Sequence, residues 1–190
     1  ASGLVGSALA TFLTTGGHEV VRLVRREAGP GEVRWDPMGG ELDPAALEGV
    51  DAVVNLAGEP IAQRWSASVK ERVLESRVRG TDLLARTLAT LDRKPAVLVS
   101  ASAMGFYGLS GSDEWLGEEA SRGQGFLADV CAAWEQAAAP AREAGIRVVH
   151  PRIGLVVSAA GGALAKQLPA FLARQTDLVE DGESVTQETR

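Results

Sequence analysis

Ala1-Ser2-Gly3-Leu4-Val5-Gly6-Ser7-Ala8-Leu9 opens the chain, and it reads as the second half of a glycine turn that runs straight into a helix. In such a turn, bare backbone N–H groups and a helix N-terminus lie against a pyrophosphate, and glycine is needed because a Cβ would block the approach. Gly3-x-x-Gly6 alone says little in a chain with 22 glycines among 190 residues. Its surroundings add weight. Leu4, Val5, Ala8, Leu9, Phe12 and Leu13 lay an apolar stripe at helical spacing, Gly16-Gly17 stops the helix, and His18 to Val24 reads as a buried strand. A strand-helix-strand unit whose glycines serve packing alone is the alternative. The strand that ordinarily leads into such a turn does not precede it, so the expectation is a chain that begins one strand late, with an incomplete nucleotide site.

The end of the His18 to Val24 stretch bears on which nucleotide is bound. Folds that prefer NAD place an Asp or Glu there to accept from the ribose 2′-OH. This chain has Arg25 and Arg26. A guanidinium pairs with the 2′-phosphate of NADP and leaves an NAD ribose without an acceptor, so the pair favours NADP(H). A solvated basic pair at a strand end is the plain alternative.

Composition fits a single enzyme-sized domain. A hydrophobic content of 45% over 190 residues supports a sizeable core. A net charge of −6 and a pI near 5.0 argue against nucleic acid or an anionic membrane as partner. Cys131 is the only cysteine, which excludes an internal disulfide and a multi-Cys metal site, and His18 and His150 make no zinc motif. No stretch reaches the apolar length of a membrane span and no secretory signal is visible, so the default compartment is the cytoplasm.

Along the chain, strands alternate with helices. Asp51 to Gly58 reads as a buried strand ending in a glycine loop, Ser66 to Leu91 as a long helix, and Ala96 to Ser100 as a strand. A helix from Phe126 is ended or kinked by Pro140; Ile146 to Val149 is a strand and Ala163 to Arg174 a helix. Near-continuous apolar strands between helices predict an α/β fold, a Rossmann-like doubly wound parallel sheet with helices on both faces. The domain is expected over 1–174, followed by an acidic mobile tail over 175–190 that lacks apolar periodicity.

Several motifs then fall in one order: Ser2-Gly3-Leu4-Val5-Gly6, Asn55-Leu56-Ala57-Gly58-Glu59-Pro60-Ile61, Arg64-Trp65, Ser76-Arg77, Ser100-Ala101-Ser102-Ala103, Tyr107-Gly108 and Gly161-Gly162-Ala163-Leu164-Ala165-Lys166. Together they resemble the atypical extended short-chain dehydrogenases of the "epimerase family", nucleoside-diphosphate-sugar epimerase type. The Asn-Leu-Ala-Gly-Glu-Pro-Ile stretch is specific to that family, whereas the glycine turn is common to dinucleotide folds. The resemblance covers residues 1–171. It implies an NADP(H)-binding Rossmann domain with a small substrate lobe. Carried over, Ser2, Gly3, Leu4, Val5 and Gly6 would hold the pyrophosphate, Arg25 with Arg26 the 2′-phosphate, and Leu56, Ala57 and Gly58 the adenosine side, with Ser100 and Arg77 also at the cofactor. A surface ion pair near Glu75 is the alternative for Arg77.

The resemblance also implies chemistry and departs from it. Typical short-chain dehydrogenases use a Ser to polarise the substrate oxygen and a Tyr whose pKa a Lys four residues later lowers. Ser102 matches the Ser. With Glu135 aligned to the Glu that follows the motif, Leu127 stands at the Tyr position and Cys131 at the Lys position. Cys131 therefore reads as a small buried hydrophobe. Tyr107, the sole tyrosine, is the candidate acid/base, with loop packing as its alternative. Asp129 and Glu118 read as carboxylates without partners, Trp65 as lining the cofactor cleft and Trp134 as core. Family members continue after the Gly161 to Lys166 segment into a substrate-lobe motif that this chain replaces with its acidic tail.

Two functions follow as expectations. One is an NADP(H)-dependent oxidoreductase or sugar-nucleotide epimerase acting by hydride transfer on a small substrate, a sugar nucleotide or carbonyl compound, with an oligomer compatible. The other is a non-catalytic NADPH-binding sensor or interaction module lacking the Tyr-x-x-x-Lys pair.

Overall fold

The computed structural model describes residues 2–108 and 115–158, together with 161, 162, 164, 165, 168, 169, 171 and 172. The chain divides into two compact units, Ala1–Gly154 and Leu155–Arg190. The boundary expected at 174/175 and the acidic tail both lie outside the described residues.

The first unit alternates as expected. Helix α1 (Leu4–Thr15) ends at its Gly16 C-cap and precedes β1 (Arg22–Val24), β2 (Glu32–Asp36) and β3 (Glu41–Leu42). A short 3-10 turn, Pro44–Leu47, leads to β4 (Ala52–Asn55) and α2 (Ala67–Thr90). Then come β5 (Val97–Ser100), β6 (Ser102–Ala103), a 3-10 turn at Met104–Tyr107, α3 (Phe126–Gln136), α4 (Ala139–Glu143), β7 (Arg147–Val149) and β8 (Arg152–Ile153). Ser66 caps α2 by accepting from the Val69 amide at 3.3 Å. Pro140, in the first turn of α4, marks the break from α3 because it has no N–H to continue the ladder.

The parallel α/β architecture expected from the sequence is present, carried in separate ladders. β4, β5 and β7 form a parallel three-stranded sheet with β5 in the centre; β1 and β2 are parallel, β2 and β3 antiparallel, and β6 pairs in parallel with β8. One apolar cluster joins the β1–β3 and β4–β5–β7 groups. Leu84, Ala85 and Leu88, on one stripe of α2, and Leu91, its C-cap, pack with Leu98 of β5, Ala138, Ala141 and Ile146, while Leu23, Leu42, Val53 and Val148 lean against the cluster. A second cluster of Val69, Val73 and Val130 ties the start of α2 to α3.

Two expectations change. The buried strand read over His18 to Val24 shortens to Arg22–Val24, which is half-buried at Leu23 and Val24, and Val21 is exposed. The stripe of α1 is largely uncovered: Gly6 is its one buried position, and Val5 and Phe12 are exposed. The physical reason is pairing. β1 hydrogen-bonds β2 but not β4, and α1 contributes to neither apolar cluster.

In the second unit, β9 (Val157–Ser158) makes antiparallel bridges to Gly162 and Gly161, and the described residues within 164–172 are helical, as read from the sequence. Among the described residues no helix is long and apolar enough to cross a membrane.

Candidate functional site

Chemistry in parallel α/β sheets gathers at the carboxyl ends of the strands. Here the register pairs Asn55 with Ser100 at the ends of β4 and β5. Asn55 Nδ2 donates to Thr81 Oγ1 at 2.9 Å and to Ser100 Oγ at 3.2 Å, its Oδ1 accepts from the Ala57 amide, and Trp134 Nε1 donates to Thr81 Oγ1 at 3.0 Å. Asn55, Thr81 and Ser100 are almost wholly buried, and this satisfied network ties β4, α2, β5 and α3 together. The side chain of Ser100, the residue expected at the cofactor, is fully enclosed and braces the sheet.

The loop after β4 is stapled to α2. The Glu59 amide donates to Ser76 Oγ at 3.0 Å, and Arg77 Nη1 donates to the carbonyls of Glu59 and Val73, both at 3.0 Å. A Cβ on Gly58 would stand 3.1 Å from Arg77 Cζ, so glycine lets the guanidinium lie against the loop backbone. Arg77 also lies over the Trp134 ring at 4.9 Å, and burial pulls its pKa down. It is thus the anchor of the Leu56-Ala57-Gly58 loop, and the Glu75 ion pair goes to Arg79 instead. Trp134 is core, as expected, while Trp65 is exposed, edge-on to Phe126.

At the N-terminal end, Gly3 is the N-cap of α1 and provides no side-chain cap, leaving the first-turn amides of Leu4, Val5 and Gly6 as donors. A Cβ on Gly3 would meet nothing within 4 Å. Ser2 is exposed. Arg25 follows β1 directly, exposed and without an ion pair among the described residues. Arg26 differs. Its Nη1 and Nη2 grip Glu32 at 2.7 and 2.8 Å, a contact that raises the pKa of Arg26 and lowers that of Glu32.

The catalytic candidates meet through residues that the sequence reading left without a role. Ser102 Oγ donates to Glu135 Oε1 at 2.6 Å. Arg152 donates through Nε and Nη2 to the two oxygens of the same carboxylate, both at 3.0 Å, and through Nη1 to the Tyr107 hydroxyl at 2.9 Å. The guanidinium also lies over the Phe106 ring at 3.5 Å. Ser102 and Tyr107 are therefore the two ends of one hydrogen-bonded chain. Burial works to raise the Glu135 carboxyl, but hydrogen bonds from Arg152 and Ser102 outweigh it and hold its pKa below the ordinary value. Facing an ionised carboxylate, the Ser102 hydroxyl is the donor, and its oxygen keeps only acceptor lone pairs. The Tyr107 oxygen accepts from Arg152, which leaves the phenol proton to donate elsewhere.

His150 Nδ1 lies 3.0 Å from the Ser100 carbonyl, and burial lowers its pKa, so the ring is neutral with Nδ1 protonated. Burial pushes the Cys131 thiol up, which keeps it a small apolar filler beside Gly105. Of the two carboxylates read as unpartnered, Asp129 accepts from Arg122 at 2.7 Å, whereas Glu118 contributes its backbone carbonyl, not its carboxylate, by accepting from Arg152. Arg152 and Glu32 escaped the sequence reading, and Glu135 entered it only as an alignment mark, because no short motif links them to their partners; Ser102 lies 33 positions from Glu135, and Tyr107 lies 45 from Arg152.

Comparison with known proteins gives the family. The profile of the NAD dependent epimerase/dehydratase family matches residues 1–186. Epimerase family protein Mb2239 of Mycobacterium bovis is 47% identical over 172 residues, covering 90% of this chain and 56% of its own length. The crystal structure of a nucleoside-diphosphate sugar epimerase from Corynebacterium glutamicum superposes with a TM-score of 0.79 at 46% identity, over 89% of this chain and 35% of that one. Human epimerase family protein SDR39U1 (isoform 2), crystallised with NADPH, superposes with a TM-score of 0.76 at 32% identity, over 90% of this chain and 57% of that one. The chain spans about half the length of the curated relatives it matches.

Proposed function

The chain belongs to the NAD dependent epimerase/dehydratase family, and from that premise we propose that it binds NADP(H) and works as an oxidoreductase or sugar-nucleotide epimerase. The uncapped first turn of α1 supports pyrophosphate binding by Ser2 to Gly6, since amide donors at a helix N-terminus suit an anion. Arg25, a guanidinium just past β1 without an ion pair among the described residues, suits a 2′-phosphate, and the NADPH in the human relative's structure supports the same choice. The loop Leu56-Ala57-Gly58, held by Arg77 and Ser76, supplies an ordered wall for the adenosine side. When bound, the nicotinamide supplies hydride exchange with a carbonyl or carbinol carbon of the substrate.

The chain's own residues handle the proton and the orientation, and the observation that carries this reading is the Ser102, Glu135, Arg152, Tyr107 hydrogen-bonded chain. Arg152 occupies a lone pair of the Tyr107 oxygen, so the phenol donates its proton to a substrate oxygen. Ser102, its own proton committed to Glu135, accepts from a substrate hydroxyl. Tyr107 thereby takes the polarising role that the resemblance assigns to Ser102. The nicotinamide absorbance band, followed with a panel of nucleoside-diphosphate sugars and simple carbonyls, tests this. Tyr107→Phe is expected to lower turnover by about 100-fold or more, and Ser102→Ala by less.

A second reading has its own observation. Helix α3 carries Leu127 and Cys131 where a Tyr and a Lys would stand, and the Cys131 thiol is held protonated. No turnover of any panel member, with NADPH binding intact, assigns the protein to a non-catalytic cofactor-binding module.

A further inference from the structure

The segment after β1 is folded back on a single carboxylate. The parallel register sets Glu32 opposite Arg22, whose Nη2 lies 3.3 Å from Glu32 Oε1. Gly29 and Glu32 close a turn on each other: the Glu32 amide donates to the Gly29 carbonyl at 3.0 Å and the Gly29 amide donates to Glu32 Oε2 at 3.1 Å. Gly31 completes it at φ +70, a conformation that side chains rarely adopt. The Glu32 side chain is only 5% exposed, and Arg26 grips it through both terminal nitrogens while also donating to the Glu27 carbonyl at 2.8 Å. Two adjacent arginines thus differ in kind. Arg25 extends without an ion pair among the described residues; Arg26 is held by a fork-to-fork pair within its own loop.

A 2′-phosphate arriving here meets Arg25 directly, whereas Arg26 can join it only by giving up a bidentate carboxylate. The carboxylate also subtracts from the positive field of Arg22, Arg25 and Arg26, and it does so whether or not Arg26 moves. Both effects act in the same direction, and neither touches a nucleotide that ends in a free 2′-hydroxyl. We propose that Glu32 sets how strongly this chain prefers a 2′-phosphorylated nucleotide, by sequestering Arg26 and leaving Arg25 as the working guanidinium. The proposal rests on the NADP(H) reading above. It makes Glu32 a positioning residue rather than a ligand.

The test is a fluorescence titration of the chain with NADPH and, separately, with NADH. In Glu32→Gln the amide keeps an acceptor for Gly29 but releases Arg26. Affinity for NADPH is expected to rise about threefold to tenfold, with NADH changed by less than about twofold. Arg26→Ala in the native background is expected to cost NADPH less than about twofold, since that guanidinium is already occupied, and in the Glu32→Gln background it is expected to cancel the gain. Unchanged or weakened NADPH binding in Glu32→Gln overturns the proposal. So does a loss of tenfold or more in Arg26→Ala alone, a result that stands even if the Gln variant folds poorly. Failure of the cofactor reading looks different: the native chain then binds neither nucleotide, or both equally, before any variant is made.

Discussion

Ser102 and Arg152 are register partners in the β6–β8 ladder, and both hydrogen-bond the same Glu135 carboxylate from α3. A two-residue parallel ladder is too short to hold itself together, so the carboxylate locks the strand pair to the helix while the strand pair aims the guanidinium at Tyr107.

Removing one partner of this pair leaves a charge in a site where Arg152 and Glu135 side chains are 20% and 16% exposed. Arg152→Met is expected to lower unfolding free energy by about 2–4 kcal/mol, measured by urea denaturation. The double change Arg152→Met with Glu135→Leu is expected to recover much of that, because it removes both desolvated charges together.

Acid stability falls in two stages. Burial depresses the pKa of His150, so below its unfolded value of about 6.5 the unfolded state binds a proton that the folded state refuses, and stability drops as pH falls from there. The depressed Glu135 carboxyl contributes stability that is present above its unfolded pKa and lost as pH falls through the lower folded value. His150→Asn keeps a donor near the Ser100 carbonyl and is expected to flatten the stability profile between pH 7 and pH 5, by chemical denaturation, without altering the more acidic stage.

Arg77 acts through the loop it holds. Arg77→Lys keeps a charge but loses the planar contact with the Gly58 backbone, and the Glu59 amide, now bonded to Ser76, is expected to exchange about tenfold faster. Hydrogen exchange resolved over residues 56–60 reads this, and equal acceleration across the whole chain contradicts a local role.

Leu98 sits at 0% exposure in the central strand, against Leu84 and Leu88 of α2. Leu98→Ala is expected to cost about 2–5 kcal/mol in thermal or urea unfolding. A change under about 1 kcal/mol means the shared α2 core is not what holds the sheet.

Helix α2 was legible almost to the residue. Ser66 signals its start by offering a hydroxyl to an orphan amide, and the Leu84 and Leu88 spacing marks its buried face. The strand at Ala96 to Ser100 and the break at Pro140 were equally readable, because apolar runs and a missing N–H act locally. The His18 to Val24 strand was overread, since hydrophobic content says nothing about which neighbour supplies the hydrogen bonds. At the site, Ser102 and Tyr107 stood out by residue type, and Arg25 and Arg26 looked alike. Only the fold separates them: Arg26 is neutralised by a glutamate six positions away, and Arg25 has no such partner among the described residues.

The amino-acid order by itself determined the alternation of strands and helices, the glycine turn, the basic pair and the absence of the Tyr-x-x-x-Lys motif, because these depend on periodicity, backbone freedom and residue type. The tertiary structure alone decided that Glu135 and Arg152 join Ser102 to Tyr107 and that Arg77 serves the loop. Those contacts span many positions along the chain, and the direction in which a hydroxyl gives its proton is set by which charge the fold brings beside it.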